Sequence, residues 1–524
     1  VRILPNNQSP GFRIDFLRIS CYNVVMSIKM EVVSPRRTIE EIISPKNLPE
    51  AGFQSYTEFI NNALALREDF IAGRFRNPHF KHSHFCDMSA LDKGIIALGQ
   101  AREEATDRES NSVFREAIKS SLDFRMAEME YVKLLGRLEF LHHEGGGQEE
   151  LSEVQEQARQ LGHELYGQPQ PEIRDAALNE LWNILDSKTY HPTAQVLYDE
   201  LANGFTWQGQ EMPAMLRAED GDARLPRFEK NEALEWAGEQ IIEQNADIQS
   251  LVQEFWDQKV KENGEDYKCN PIDIAEAFQA VINLRDPDHT SGVAVKLVEN
   301  KTALSWESPE MAVVVGGKRT PISTSDQLFR KVLHEFGVHG QRLINGVKTK
   351  LPVLGMGLFT DTPRPDYLTF EEGLATTVEE MIGDTVPKWT AVKLGYYINI
   401  SLAEQGADFR TVFETAWRYR LLGKLKNDQE VTGDMIDKEK RLAYGSCVRI
   451  FRGTQPDMAD SQPGVVPLTF NKDLAYLEGR VLAMRHLESL YSSQDVDGVA
   501  RLFAGKYDPT NPKQQELMMM ALAD

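Results

Sequence analysis

His334, Glu335 and His339, in the segment KVLHEFGVHGQR (331–342), are side chains that can bind a metal ion and move a proton. Histidine nitrogens are standard zinc ligands, and a carboxylate beside one can take a proton from water. On an α-helix, residues four apart diverge by about 40° and can share an ion, whereas residues five apart diverge by about 140°. His334 and His339 are five apart. They can meet at one ion only where the helix takes up an extra residue, as a π-bulge does, and such bulges are frequent at functional sites. Gly337 lies between them, and its low helix propensity and missing side chain ease that distortion. The alternative is two unrelated histidines on an amphipathic helix.

A possible third ligand lies downstream. LTFEEGLATTVEEMIG (368–383) has the pattern of a second helix, and Glu372 follows His339 at a loop-plus-helix distance. Two histidines and a glutamate form a catalytic zinc set with a fourth position for water. Glu372 also stands three residues after Thr369, so a capping box is a competing role. Gly373 and Ala375 would let this helix approach another element closely. Glu379, on the same face as Glu372, is a candidate to orient a ligand, or else a solvated helix glutamate.

His-Glu-x-x-x-His, the pair Asn345–Gly346 and EEGLA (371–375) together resemble the microtubule-associated tyrosine carboxypeptidases and their bacterial relatives with a QEGLA motif. ELYGQPQP (164–171), CVRIFRG (447–453) and FNKDLAYLEG (470–479) are similar to other blocks of that family, so the resemblance covers roughly 160–490. It implies a gluzincin-like metallopeptidase core with His334, His339 and Glu372 as ligands of one zinc ion per chain. It makes Glu335 the general base of a metal-activated water. Where relatives often carry glutamine this chain has Glu371, read as a neighbour of the ligand. The implied function is a zinc-dependent carboxypeptidase removing C-terminal residues from a protein or peptide. A non-catalytic metal-containing regulator and a zinc endopeptidase are the alternatives, and the retained Glu335 argues against the regulator.

Removing a C-terminal residue requires recognition of a free carboxylate. Arg449 and Arg452, spaced i, i+3, would share a helix face, and guanidinium groups bind carboxylates in bidentate fashion. Lys318 and Arg319, in GGKRT, are a second candidate pair. Internal ion pairs are the plainer role for both. Tyr396, Tyr397, Tyr444 and Tyr476 are candidates to stabilise an oxyanion. Two further clusters carry less chemistry: NPHFKHSHFC groups His79, His82, His84 and Cys86 without an acidic base, and His163–Glu164 has no partner ligand in its neighbourhood.

The elements that must position these groups are mostly helical. Apolar residues recur at three- and four-residue intervals from about 55 to 265, with HHEGGGQEE (142–150) as a flexible break. Segments 292–300, 302–308 and 310–317 are rich in β-branched residues and read as strands. The expected fold is α+β and predominantly helical, with a short sheet whose last strand lies beside the motif helix. An edge strand there would hold an extended peptide. The boundaries expected are 1–40 as a leader, on terminal-disorder grounds, 41–265 as a helical N-terminal region and 266–524 as the catalytic region.

With 58 basic and 80 acidic residues the formal net charge is −22, which disfavours nucleic acid as a partner. No stretch is long and apolar enough to span a bilayer. Four dispersed cysteines and no CxxC pair point to a reducing, cytoplasmic setting without a disulfide framework.

Overall fold

The computed structural model describes residues 38–44, 47–49, 62–81, 88–145, 147–289, 291–308, 310–359, 366–383, 387–461 and 466–523. The expected leader up to residue 37, and His82, His84 and Cys86, lie outside the described residues. Contacts divide the chain after Thr38, and the architecture below is that of the unit Ile39–Asp524.

Long amphipathic helices open this unit. Helix α1 (Met88–Arg108) buries Leu91, Leu98, Ala101 and Ala105, and α2 (Ser112–Glu144) buries Ile118, Leu122, Val132 and Leu135 against it. The Asn111 side chain caps α2 by accepting from the Val113 and Phe114 amides. Helix α2 ends at Gly145, in the left-handed region at φ 74°. This is the break expected from HHEGGG, and α3 (Gln148–Tyr166) then packs back on α2. A small antiparallel hairpin, β1 (Phe205–Trp207) with β2 (Gln210–Met212), interrupts the helices. Its three-residue strands are too short to leave a period-two signal, so the sequence did not announce it. Its turn residues Gln208 and Gly209 both have positive φ, the geometry of the tight hairpin turns.

The main sheet has the order β3 (Ala294–Val298), β5 (Ala312–Gly316), β4 (Leu304–Glu307), parallel on one side of β5 and antiparallel on the other. The three strands lie where the β-branched segments predicted them. The last strand lies beside the motif helix as expected, but their order corrects its place in the sheet: it is the central strand and not the edge. Every residue of β5, AVVVG, is buried. An unbroken apolar run suits a strand covered on both faces, whereas the mixed LSWE of β4 suits an edge. The strand that hydrogen-bonds to the motif helix is therefore β4, through Trp306.

The motif lies in one continuous rod made of α4 (Ser325–Val332), a π-helical stretch Leu333–Gly340 and α5 (Gln341–Val347). Thr324 caps its start by accepting from the Gln327 amide. There follow α6 (Asp366–Met381), α7 (Ala391–Glu404), α8 (Phe409–Lys424), α9 (Gly433–Ile450) and α10 (Leu474–Ser493). Helices α6 and α10 cross at two glycines. A Cβ built on Gly373 would lie 1.9 Å from the Gly479 carbonyl carbon, and one on Gly479 would lie 1.8 Å from the Thr369 oxygen. The glycines of EEGLA and YLEG are thus the contact surface of one helix pair.

Among the described residues two hydrophobic cores result. The larger joins residues from Ala63 to Leu502 and holds the sheet and the motif rod; the other joins Ile42 and the α1–α3 bundle to Leu354, Phe470 and Met518. The protein is predominantly helical with a small sheet. No described helix is long and apolar enough to cross a membrane.

Candidate metal centre

Hydrogen bonding from i to i+5 over Leu333–Gly340 brings residues five apart onto one face. The His334 and His339 rings accordingly meet edge to face, with centroids 5.5 Å apart. One donor atom from each of His334, Glu335 and His339 lies within 4.8 Å of the other two. Gly340 is needed at the end of this turn, because a Cβ there would stand 2.8 Å from the Phe336 ring and 3.2 Å from the Trp306 ring. Asn345 and Gly346 anchor the rod: the Asn345 amide donates to the Phe503 carbonyl at 2.8 Å, and Gly346 admits the backbone of Leu354 and Gly355.

Each histidine has a carboxylate of α6 at its Nδ1, hydrogen-bonded at His339 and in ion-pair contact outside hydrogen-bond geometry at His334. His334 Nδ1 is 2.8 Å from Glu379 Oε2, and His339 Nδ1 is 2.9 Å from Glu371 Oε1. That leaves Nε2 of both rings for an ion, in the carboxylate–histidine–metal pattern that fixes ring orientation. Burial raises the Glu379 carboxyl, but the contact and charge of His334, with Lys331, outweigh it and bring it down to about 2. Glu371 is also brought down to about 2: burial is overcome by Lys506, by the His339 hydrogen bond and by Arg342. Burial lowers His334, yet Glu335, Glu379 and Glu372 together raise it. Burial raises the Glu335 carboxyl above its ordinary range against the charges of His334, His339 and Lys331, and its Oε2 accepts the Trp306 amide at 2.8 Å.

Glu371 is the residue whose part the sequence understated. It is 2% exposed and lies among two buried cations and a histidine. Lys506 Nζ donates to Oε1 at 2.8 Å and Arg342 donates to Oε2 at 3.1 Å. Arg342, wholly buried, also donates to the Gly505 and Tyr507 carbonyls. Neither cation was singled out in the sequence, because their separations of 29 and 135 residues from Glu371 follow no local rule.

Glu372 faces elsewhere. It lines a cavity of ≈ 180 Å³ with Arg449, Arg452, Lys472 and Tyr476, and its carboxylate makes no hydrogen bond or ion pair among the described residues. Its donor atoms are outside the 4.8 Å cluster, although its charge acts on His334 and is the largest influence raising Tyr476. Helix α6 already begins at Asp366, so Thr369 stands inside it and the capping-box role for Glu372 does not arise.

In that cavity Arg449 pairs with Asp473 at 2.9 Å and lies over the Tyr396 ring, while Arg452 lies over Phe470. Lys318 is exposed and Arg319 half-buried after β5, and neither lines the cavity. Among the other tyrosines, Tyr397 donates to Glu478 at 2.8 Å and Tyr444 to the Ala63 carbonyl at 2.7 Å, both buried and away from the cavity. Tyr397 also accepts from the Gln170 amide, so ELYGQPQP and YLEG dock on each other. His163 is tied to Glu404 and Gln168.

A paired-histidine turn braced by carboxylates from a second helix, beside the edge strand of a short sheet, has the donor set and the bracing of a metal-binding centre. Residues 318–519 match the model of the family described as microtubule-associated tyrosine carboxypeptidase. The resemblance drawn from the motifs is borne out over that stretch, which is less than half of the chain. It starts after ELYGQPQP and continues past 490. No curated protein and no solved structure matches the chain.

Proposed function

We propose that the protein is a zinc-dependent carboxypeptidase with a gluzincin-like core. The observation that carries this reading is the π-helical turn, which converges His334, Glu335 and His339 within 4.8 Å. The donor set fits zinc, since each ring has a carboxylate of α6 at its Nδ1, buried Glu371 at His339 and half-buried Glu379 at His334, and both keep Nε2 available. His334, His339 and Glu372 would hold the ion. Zinc, when bound, polarises a carbonyl and makes water easier to deprotonate.

The chain's own residues do the rest. Glu335, with a raised pKa, is suited to take a proton from water and to give it to the leaving amine. Its bond to the Trp306 amide fixes the carboxylate against the edge strand. Glu379 and Glu371 keep the rings in place. Arg449, Arg452 and Lys472 outnumber Glu372 and Asp473 on the cavity wall, and with Arg449 paired to Asp473 it is Arg452 and Lys472 that favour a substrate's terminal carboxylate there. Tyr476, on the same wall, is the best placed of the four tyrosines to meet a developing negative charge. The family's description names tyrosine, so peptides ending in tyrosine are the first substrates to try. Cys269 and Cys447 are free and buried, in keeping with a cytoplasmic setting.

The test compares peptides with free and amidated C-termini, using the parent protein and Glu335→Gln. Single residues should be released from free ends only, and Glu335→Gln should keep zinc and fold while losing most hydrolysis. Internal cuts indifferent to amidation would replace the carboxypeptidase reading with an endopeptidase. Absence of cleavage across a broad peptide library would remove the enzyme reading.

A further inference from the structure

A second set of metal-binding side chains converges away from the His334 turn. His79 comes from the segment after the helix Arg67–Ile71, His142 from the last turn of α2, and Asp457 from the turn that follows α9. One donor atom of each lies within 4.8 Å of the other two. Asp457 Oδ2 is 2.7 Å from His79 Nδ1 and 3.2 Å from His142 Nε2. The other carboxylate oxygen, Oδ1, is buried without a hydrogen-bond partner among the described residues. The His143 ring stacks edge-on against His79 at 4.3 Å and covers one side.

We propose that His79, His142 and Asp457 bind a second zinc ion, which clips three distant parts of the chain together. Two imidazole nitrogens and one carboxylate are donors that suit zinc, whereas calcium and magnesium require more oxygen. With nothing else bound, both imidazoles donate N–H to Asp457 Oδ2, and Oδ1 is left without a partner among the described residues. A divalent ion between them uses all three as acceptors and gives the idle Asp457 oxygen a function. Two of the three segments are already tied by a group that is not a ligand: Asn77 donates to Asp460 at 2.7 Å. Three protein ligands leave a fourth position for water, so the ion would exchange more readily than one in a closed four-ligand site.

The experiment strips the untagged full chain of metal, reloads it with zinc alone and counts ions per chain after dialysis. The parent should hold two, the double variant His334→Ala/His339→Ala one, and the same variant with His142→Ala none. His142→Ala on its own should leave peptide hydrolysis unchanged. A double variant that holds no zinc overturns the proposal, leaving His79, His142 and Asp457 as an ion-pair cluster. A triple variant that still holds one ion overturns it too, because the ion then has other ligands. Should His142→Ala fail to fold, the near-isosteric Asp457→Asn takes its place with the same expected counts. If the parent and the double variant bind equally while removing His142 takes one ion away, the clip stands and the ligand set under the proposed function falls.

Discussion

Glu371 and Glu372 are chain neighbours with different work. Adjacent helix residues point about 100° apart, so one faces the histidine turn and the other the cationic cavity. Replacing Glu371 with glutamine leaves Arg342 and Lys506 buried without their anion. Breaking a buried ion pair costs about 3–5 kcal/mol. Glu371→Gln should lose stability on that scale in urea unfolding, and Glu371→Gln/Lys506→Met should recover part of it. A loss below about 1 kcal/mol would show that the two cations do not depend on this carboxylate. At Glu372 the expected effect is on metal instead: Glu372→Ala should lower zinc content as His334→Ala does. Full zinc occupancy in Glu372→Ala would take it out of the ligand set. The histidines and Glu335 were legible because their chemistry lies within one helical segment. Glu371 was not, because what distinguishes it from its neighbour is a pair of cations contributed from far along the chain.

At the scale of elements, the five-residue spacing of the histidines already required an extra residue in the helix, and Leu333–Gly340 supplies it. The three strands could be located from β-branched content, but their order could not, since composition does not say which neighbour a strand will pair with. The all-apolar AVVVG held that information, as a strand buried on both faces belongs at the centre. The α6–α10 crossing was half visible: Gly373 signalled a close approach, and only the structure supplies Gly479 as its counterpart. Gly373→Ala should cost about 1–3 kcal/mol or more through overpacking. It should depress hydrolysis further than stability explains, because Glu371 and Glu372 move with α6. Gly445→Ala is the control: nothing lies within 4 Å of its Cβ position, and alanine there should be neutral or stabilise α9 by up to about 1 kcal/mol. Equal losses in thermal unfolding for the two variants would refute the crossing as the cause.

The whole molecule was legible as helical with a short sheet, and its strongly acidic balance sits beside a cavity lined by Arg449, Arg452 and Lys472. Its pH response has one clear contributor in α10. Burial lowers His486 to about 4, against the edge of Phe370. An unfolded histidine titrates near 6.5, so between about 6.5 and 4 the unfolded chain binds a proton that the folded one refuses. Stability from this group is therefore complete above pH 6.5 and falls as the pH drops to 4, by about 1–3 kcal/mol. His486→Phe should flatten that part of the stability profile relative to the parent, and identical acid slopes would assign the loss to other groups. The two cores carry a different consequence, for the order in which the chain can fold. Ile42 and the α1–α3 bundle share their core with Leu354, Phe470 and Met518, and Ala63 shares the other with Leu502. Contacts of such sequence separation form slowly, since long loops must close before burial rewards them. During synthesis the early helices can pack on one another, but the part of their core shared with Leu354, Phe470 and Met518 stays open until those residues have emerged. A fragment ending at residue 265 should accordingly remain molten or aggregate, and a cooperative thermal transition in that fragment would show that the first half folds without waiting.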